Sequence, residues 1–135
     1  NKILYRDESP LKFVRELKNN GSVAVMMDQN TAKGGVFVDF FGKKAATPRS
    51  LALLSYRFGT PVLPLFCYPT DKGTYRIEHG PEIQLEKAGN KKNDLLKWTQ
   101  NYQLFIEKII RENPASWMCG HRRWKTRPPE ETRIY

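Results

Sequence analysis

The chain has 135 residues, 39% of them hydrophobic, which suits one domain with a core and excludes a chain disordered throughout. Twenty-three lysines and arginines against 14 acidic residues give a net charge of +9, so favoured partners are polyanionic: nucleic acid, an anionic membrane face, or a phosphorylated or acidic substrate. No apolar run approaches the length of about 18 residues that reads as a membrane-spanning helix, and no signal-peptide pattern opens the chain, which starts at Asn1 and is expected to be a fragment or processed piece.

Residues 1–8 read as an irregular lead-in whose Ile3, Leu4 and Tyr5 are available to pack on a sheet. Ser9-Pro10 is a helix-starting pair, and the stripe Leu11, Phe13, Val14, Leu17 predicts a helix over 10–19 that Asn19-Asn20-Gly21 stops. Residues 22–27, SVAVMM, are apolar on both faces, as expected of an interior parallel-type strand. After a Gly34-Gly35 hinge, Val36, Val38 and Phe40 alternate with Phe37, Asp39 and Phe41 in an extended segment. Thr47-Pro48 reads as the start of a second helix that ends at Gly59, and residues 61–68 as a second interior strand bent at Pro64. Asp71-Lys72-Gly73 predicts a turn into a half-exposed strand over 74–79. Asn93 is placed to cap a long helix that runs to about Glu112, with Leu96, Tyr102, Leu104, Phe105, Ile109 and Ile110 on its buried side. Alternating helices and apolar strands predict a layered α/β architecture without repeats or long linkers.

Two stretches carry unusual chemistry. In the first, residues 28–48, an apolar strand runs straight into Asp28, Gln29 and Asn30, side chains that are costly to bury without partners. Lys43, Lys44 and Arg49 then stand close to the expected helix start, where a helix N-terminus assists them in meeting phosphate or carboxylate groups. The ordinary alternative is a polar turn followed by a capped helix, with the lysines as solvated charge. Phe37, Phe40 and Phe41 are either wall of an apolar channel or core. The second stretch is the tail, residues 116–135, in which Trp117 and Trp124 bracket His121, Arg122 and Arg123, with Lys125 and Arg127 just beyond. Basic residues interleaved with aromatics suit a lipid headgroup zone, an acidic protein partner or a nucleic acid; the alternative is a solvated tail whose tryptophans patch the core. Cys67 and Cys119 form no CxxC motif and no zinc spacing, so a reducing compartment is expected, with Cys67 a small core residue. No metal or redox cofactor is suggested.

The order of pieces, a strand ending in DQ, then FVDFFGKKAATP, TPVLPLF, YRIEH, a long helix and NPASWMCGHRRWKTRP, resembles the bacterial lipid A biosynthesis acyltransferases. The ending is the most specific part, although Ala115-Ser116 stand where that family usually has Glu-Gln. The resemblance implies a layered mixed sheet flanked by helices, of the glycerolipid-acyltransferase kind. It implies transfer of a fatty acyl chain from acyl carrier protein to a hydroxyl of a lipid A precursor, at the cytoplasmic face of the bacterial inner membrane. It also implies a catalytic HxxxxD/E pair, and neither His79 nor His121 is followed by an acidic residue at that spacing. The chain therefore reads as the C-terminal part of one acyltransferase domain, with the catalytic pair and the membrane anchor expected upstream of Asn1 and the piece itself inactive. Substrate holding falls to Asp28, Gln29, Asn30, Phe41, Lys43, Lys44 and Arg49; contact with an anionic membrane surface or carrier protein falls to Trp117, Arg122, Arg123, Trp124 and Lys125. A phosphoinositide mannoside acyltransferase is the nearer alternative. A non-catalytic nucleic-acid-binding module explains the charge but not the first stretch, and no nucleic-acid partner is expected.

Overall fold

In a computed structural model of the chain, residues 11–117 and 119–135 are described, so the lead-in and its apolar side chains lie outside the described residues. The elements are α1 (Leu11–Lys18), β1 (Gly35–Phe40), β2 (Lys43–Pro48), α2 (Ser50–Phe58), β3 (Leu65–Pro69), β4 (Tyr75–His79) and α3 (Lys91–Glu112), followed by two short 3-10 turns at Pro114–Ser116 and Cys119–His121. The α/β class holds. The strands form two antiparallel hairpins, β1 with β2 and β3 with β4.

Three expectations about elements are corrected. Residues 22–27 belong to no helix and to no ladder among the described residues, so the interior strand expected there is not formed. Thr47-Pro48 close β2, and the helix starts at Ser50 with Arg49 in the cap position and no side-chain cap bond. The cause is a tight turn at Phe41 (φ 51°) and Gly42 (φ 73°), which folds residues 43–48 back along β1. Positive φ at both central residues matches the twist of a hairpin, and Gly42 adopts it freely while Phe41 does so at a cost. Finally, the strand expected over 61–68 is laddered only from Leu65: Pro61 and Pro64 have no N–H to donate, and single bonds from Ile83 N to Val62 O and from Gly80 N to Pro64 O, 3.0 Å each, tie the segment down.

α3 is the organising element. Its N-cap is Asn90, whose side chain accepts from Asn93 N at 3.2 Å, and its buried stripe is Asp94, Leu95, Trp98, Thr99, Tyr102, Gln103, Glu107 and Ile110. Leu96 and Leu104 face outward instead, since the stripe includes polar residues that a reading of apolar periodicity passes over. One end of the stripe packs with Met27, Ala52, Val62 and Leu85, the other with Phe40, Ala45, Trp117 and Trp124, and Ile106 touches both clusters. Phe105 stacks on Phe66 at 6.1 Å, which holds the inner face of the β3–β4 hairpin. The outer face is bare. Cys67 lies there, exposed, opposite Ile77, rather than in a core, because nothing described covers that face.

Candidate substrate-binding site

The two unusual stretches, about ninety residues apart in sequence, meet. Trp117 donates its indole N–H to Asp28 Oδ2 at 3.2 Å, and His121 Nε2 lies 3.1 Å from Asp28 O. A carbonyl oxygen only accepts, so this contact requires the proton on Nε2. Asn30 clasps the tail at one residue: its Nδ2 donates to Thr126 Oγ1 at 3.1 Å and its Oδ1 accepts from Thr126 N at 3.0 Å. Farther along, Arg127 donates to Lys44 O at 3.2 Å and pairs with Glu131. The tail is a strap across the DQN turn and β2.

Beneath the strap lies a buried polar junction. Arg123 is 1% exposed; its guanidinium donates to Ala46 O at 2.9 Å, to Thr47 Oγ1, and to Gln103 Oε1 at 3.1 Å. Gln103 in turn donates to Met27 O at 2.7 Å, the carbonyl next to Asp28. A planar fork with several donors suits this task, since one side chain reaches β2 and α3 together. The guanidinium carbon also lies 5.1 Å from the centre of the Phe40 ring. Burial pushes the Arg123 pKa down to about 10, and the Asp28 charge acts in the opposite direction. The group is therefore a cation at neutral pH. Arg123 does not belong to an exposed basic surface; it braces the C-terminal strap against the core.

Trp117 and Trp124 are half-buried. Trp124 donates to Phe40 O at 3.2 Å and Trp117 stacks on Phe41 at 6.2 Å, so both patch the hairpin tip. Phe41 is also covered by Arg111, whose guanidinium lies 4.8 Å from the ring centre. Those contacts hold a side chain on the left-handed backbone that a phenylalanine seldom adopts. Phe40 is fully buried core, and Phe37 is partly exposed on the other face of β1. Arg122 and Lys125 are exposed, Arg122 near Tyr135.

The structure brings Asp28, Asn30, Phe41, Trp117 and Trp124 into one neighbourhood. Thr31 N donates to Ala46 O at 3.3 Å, which sets the DQN turn beside β2, whose strand runs on to the start of α2. Lys43 and Lys44 lie on β2 after the turn; Lys44 is engaged by Asp39 at 3.0 Å across the hairpin. Gln29 is exposed, its amide Nε2 against Met26 Sδ at 3.8 Å, and Arg49 is exposed at the α2 cap. Among the described residues, neither side chain hydrogen-bonds to Asp28. Sequence reasoning missed Gln103, Thr47 and Thr126 as parts of the site. Gln103 was legible in principle, as a polar residue at helical spacing within an otherwise buried stripe.

Among the described residues no cluster of His, Cys, Asp and Glu is arranged to hold a metal, and no helix is long and apolar enough to cross a membrane. Compared with known proteins, the chain is similar to phosphatidylinositol mannoside acyltransferases of Mycobacterium tuberculosis: 26% identical over 87% of this chain for strain H37Rv, and 27% over 80% for strain CDC 1551. It spans about a third of the length of these curated relatives, 36% and 32% respectively. Residues 2–126, nearly the whole sequence and both halves of the strapped site, match the family of bacterial lipid A biosynthesis acyltransferases, and the chain belongs to that family.

Proposed function

We propose that the chain is the substrate-holding part of an acyltransferase that moves a fatty acyl chain from acyl carrier protein to a hydroxyl of a lipid A precursor, at the cytoplasmic face of a bacterial inner membrane. The observation that carries this reading is the meeting of the DQN turn with the HRRWKT tail, the two stretches on which the resemblance chiefly rests.

The reaction needs a base to take the proton of the acceptor hydroxyl while its oxygen attacks the thioester carbon; the C–S bond then breaks and a thiol leaves. His121 lacks the acidic partner that the pair of the resemblance requires, since no acidic residue stands at that spacing. His79 is exposed on the β3–β4 hairpin. We assign the base to polypeptide outside these 135 residues, as the HxxxxD/E pair of the resemblance, and assign holding to the strapped site. Asp28 offers a carboxylate fixed by Trp117 to a cationic group of substrate or enzyme, with Gln29 beside it. Lys43 and Arg49 supply cations for phosphate, and Phe41 an apolar wall. Arg122 and Lys125, exposed on the strap, face an anionic membrane surface or the acidic carrier protein.

A second reading, a phosphoinositide mannoside as acceptor, is favoured by the names of the mycobacterial relatives. The complete gene product, supplied with acyl carrier protein thioester and each acceptor in turn, distinguishes them. Ester formation on the lipid A precursor is expected. Product only with the mannoside favours the second reading, and no product with either overturns both.

A further inference from the structure

α3 buries the polar side chains of Asp94, Thr99, Gln103 and Glu107, each at a cost that partners must offset. Three of them find those partners close by in sequence. Thr99 donates to Leu95 O one turn back at 2.7 Å, Glu107 pairs with Arg111 one turn on at 3.5 Å, and Asp94 accepts from Ala88 N just before the helix at 3.1 Å. Gln103, 0% exposed, reaches elsewhere. Its Nε2 donates to Met27 O at 2.7 Å and its Oε1 accepts from Arg123 at 3.1 Å, partners 76 and 20 positions away. The partners fix which way the amide lies, because a carbonyl only accepts and a guanidinium only donates. An apolar side chain would fill the same space without the cost of burying an amide. Met27 O belongs to the peptide that joins Met27 to Asp28, and the Arg123 cation interacts with the Asp28 carboxylate. Both bonds of Gln103 therefore bear on one residue.

We infer that Gln103 is a positioning residue for Asp28: it ties the Met27–Asp28 peptide and the Arg123 fork to α3, and so sets where the Asp28 carboxylate stands toward substrate. This rests on the holding role proposed for Asp28 above. Gln103 itself touches no substrate, being shut from water altogether. A peptide is planar, so a bond to Met27 O fixes the start of residue 28 as well. α3, 22 residues long and capped by Asn90, is the rigid support from which such a group is held most precisely. Trp117 and His121 grip Asp28 from the strap, at Oδ2 and at the main-chain O; Gln103 grips the same turn from the core. One turn earlier on α3, Gln100 makes paired bonds of the same kind, accepting from Asp39 N at 2.7 Å and donating to Asp39 O at 3.0 Å. Those bonds fall on β1 rather than on the DQN turn, which makes Gln100 the matched control.

Steady-state kinetics of the complete gene product, with acyl carrier protein thioester and lipid A precursor, test the role through a double-mutant cycle. Gln103→Met keeps the length of the side chain and removes both polar ends. It should lower kcat/KM by about fivefold or more, through the same parameter that Asp28→Asn changes. In the Asp28→Asn background the same change should cost less than about twofold, because its effect passes through the carboxylate. The melting temperature should fall alike in both backgrounds, and Gln100→Met should lower it while leaving kcat and KM unchanged. Gln103→Glu keeps an acceptor for Arg123 and loses the donor to Met27 O; it is held to the same kinetic criterion if Gln103→Met does not fold. Unchanged kinetics in a folded Gln103 variant, or losses that multiply in the double variant, overturn the inference and leave Gln103 a brace of the fold, with the holding role of Asp28 standing. Asp28→Asn without kinetic effect removes that holding role instead, and positioning through Asp28 with it.

Discussion

Replacing Arg123 with Ala removes the central donor of the strap. Three acceptors lose their partner, Ala46 O, Thr47 Oγ1 and Gln103 Oε1, each bond contributing about 1 to 1.5 kcal/mol net. The contact with the Phe40 ring adds about 1 kcal/mol. Opposing these losses is relief from burying a cation, which is itself costly and can cancel much of the gain of a buried charge network. Because the acceptors stay buried without a donor, the losses prevail, and a net destabilisation of about 3 kcal/mol is expected. For a domain of this size that lowers the melting temperature by about 10 °C. Urea and thermal unfolding of the 135-residue chain measure it, with Arg122→Ala as the control, since Arg122 is exposed and should change stability by no more than about 0.5 kcal/mol. Arg123→Lys keeps the charge but not the fork and should restore less than half of the loss. Arg123→Ala within about 1 kcal/mol of the Arg122 control would refute the brace and return Arg123 to the solvent-facing surface expected from sequence.

Other consequences are smaller or more local. Asn30→Ala removes both bonds to Thr126 and should cost about 1 to 2 kcal/mol, with faster proteolysis of the tail visible by mass spectrometry. At Gly35 an added Cβ would lie 2.4 Å from Thr31 Cγ2 and 2.9 Å from Thr47 O. Gly35→Ala should therefore destabilise by about 1 to 3 kcal/mol, and Thr31→Ser, which removes that methyl, should restore only part of it in urea titrations. Arg122→Gln with Lys125→Gln should weaken binding to anionic vesicles by about 2 kcal/mol at low salt and by less at high salt, read by co-sedimentation. The chain alone should form no ester from acyl carrier protein thioester and lipid A precursor; turnover near that of the complete gene product would contradict the assignment of the base to other polypeptide.

The α/β class, the C-terminal ends of α2 and α3, and the turn joining β3 to β4 were legible because each has a local signal: Gly59 after α2, the stop at Pro114, Asp71-Lys72-Gly73 between strands. The β1–β2 hairpin was not. Hairpins of this type announce themselves by Asn-Gly or Asp-Gly, and here Phe41 occupies the first position, held there by Trp117 and Arg111, which lie far along the chain. Without that turn Thr47-Pro48 has the composition of a helix start, and only the antiparallel register shows that Thr47 faces a buried arginine instead. The tail divided the same way. Its composition announced a basic, aromatic surface, but burial varies residue by residue: Arg122 and Lys125 outward, Arg123 fully inward. Charge count cannot distinguish neighbours on opposite sides of a turn. Asp28 stood out as a polar residue closing an apolar run, and its partner Trp117 was found by no local rule at all.

The most direct test of substrate holding at the strapped turn is the steady-state kinetics of Asp28→Asn in the complete gene product. Asparagine keeps an oxygen to accept the Trp117 indole and removes the charge. The proposed role predicts that kcat/KM for acyl transfer falls by about tenfold or more, mainly through KM for the acceptor or donor, while the fold survives. Unchanged kinetics in a folded variant would contradict it and leave Asp28 as an anchor for the tail alone.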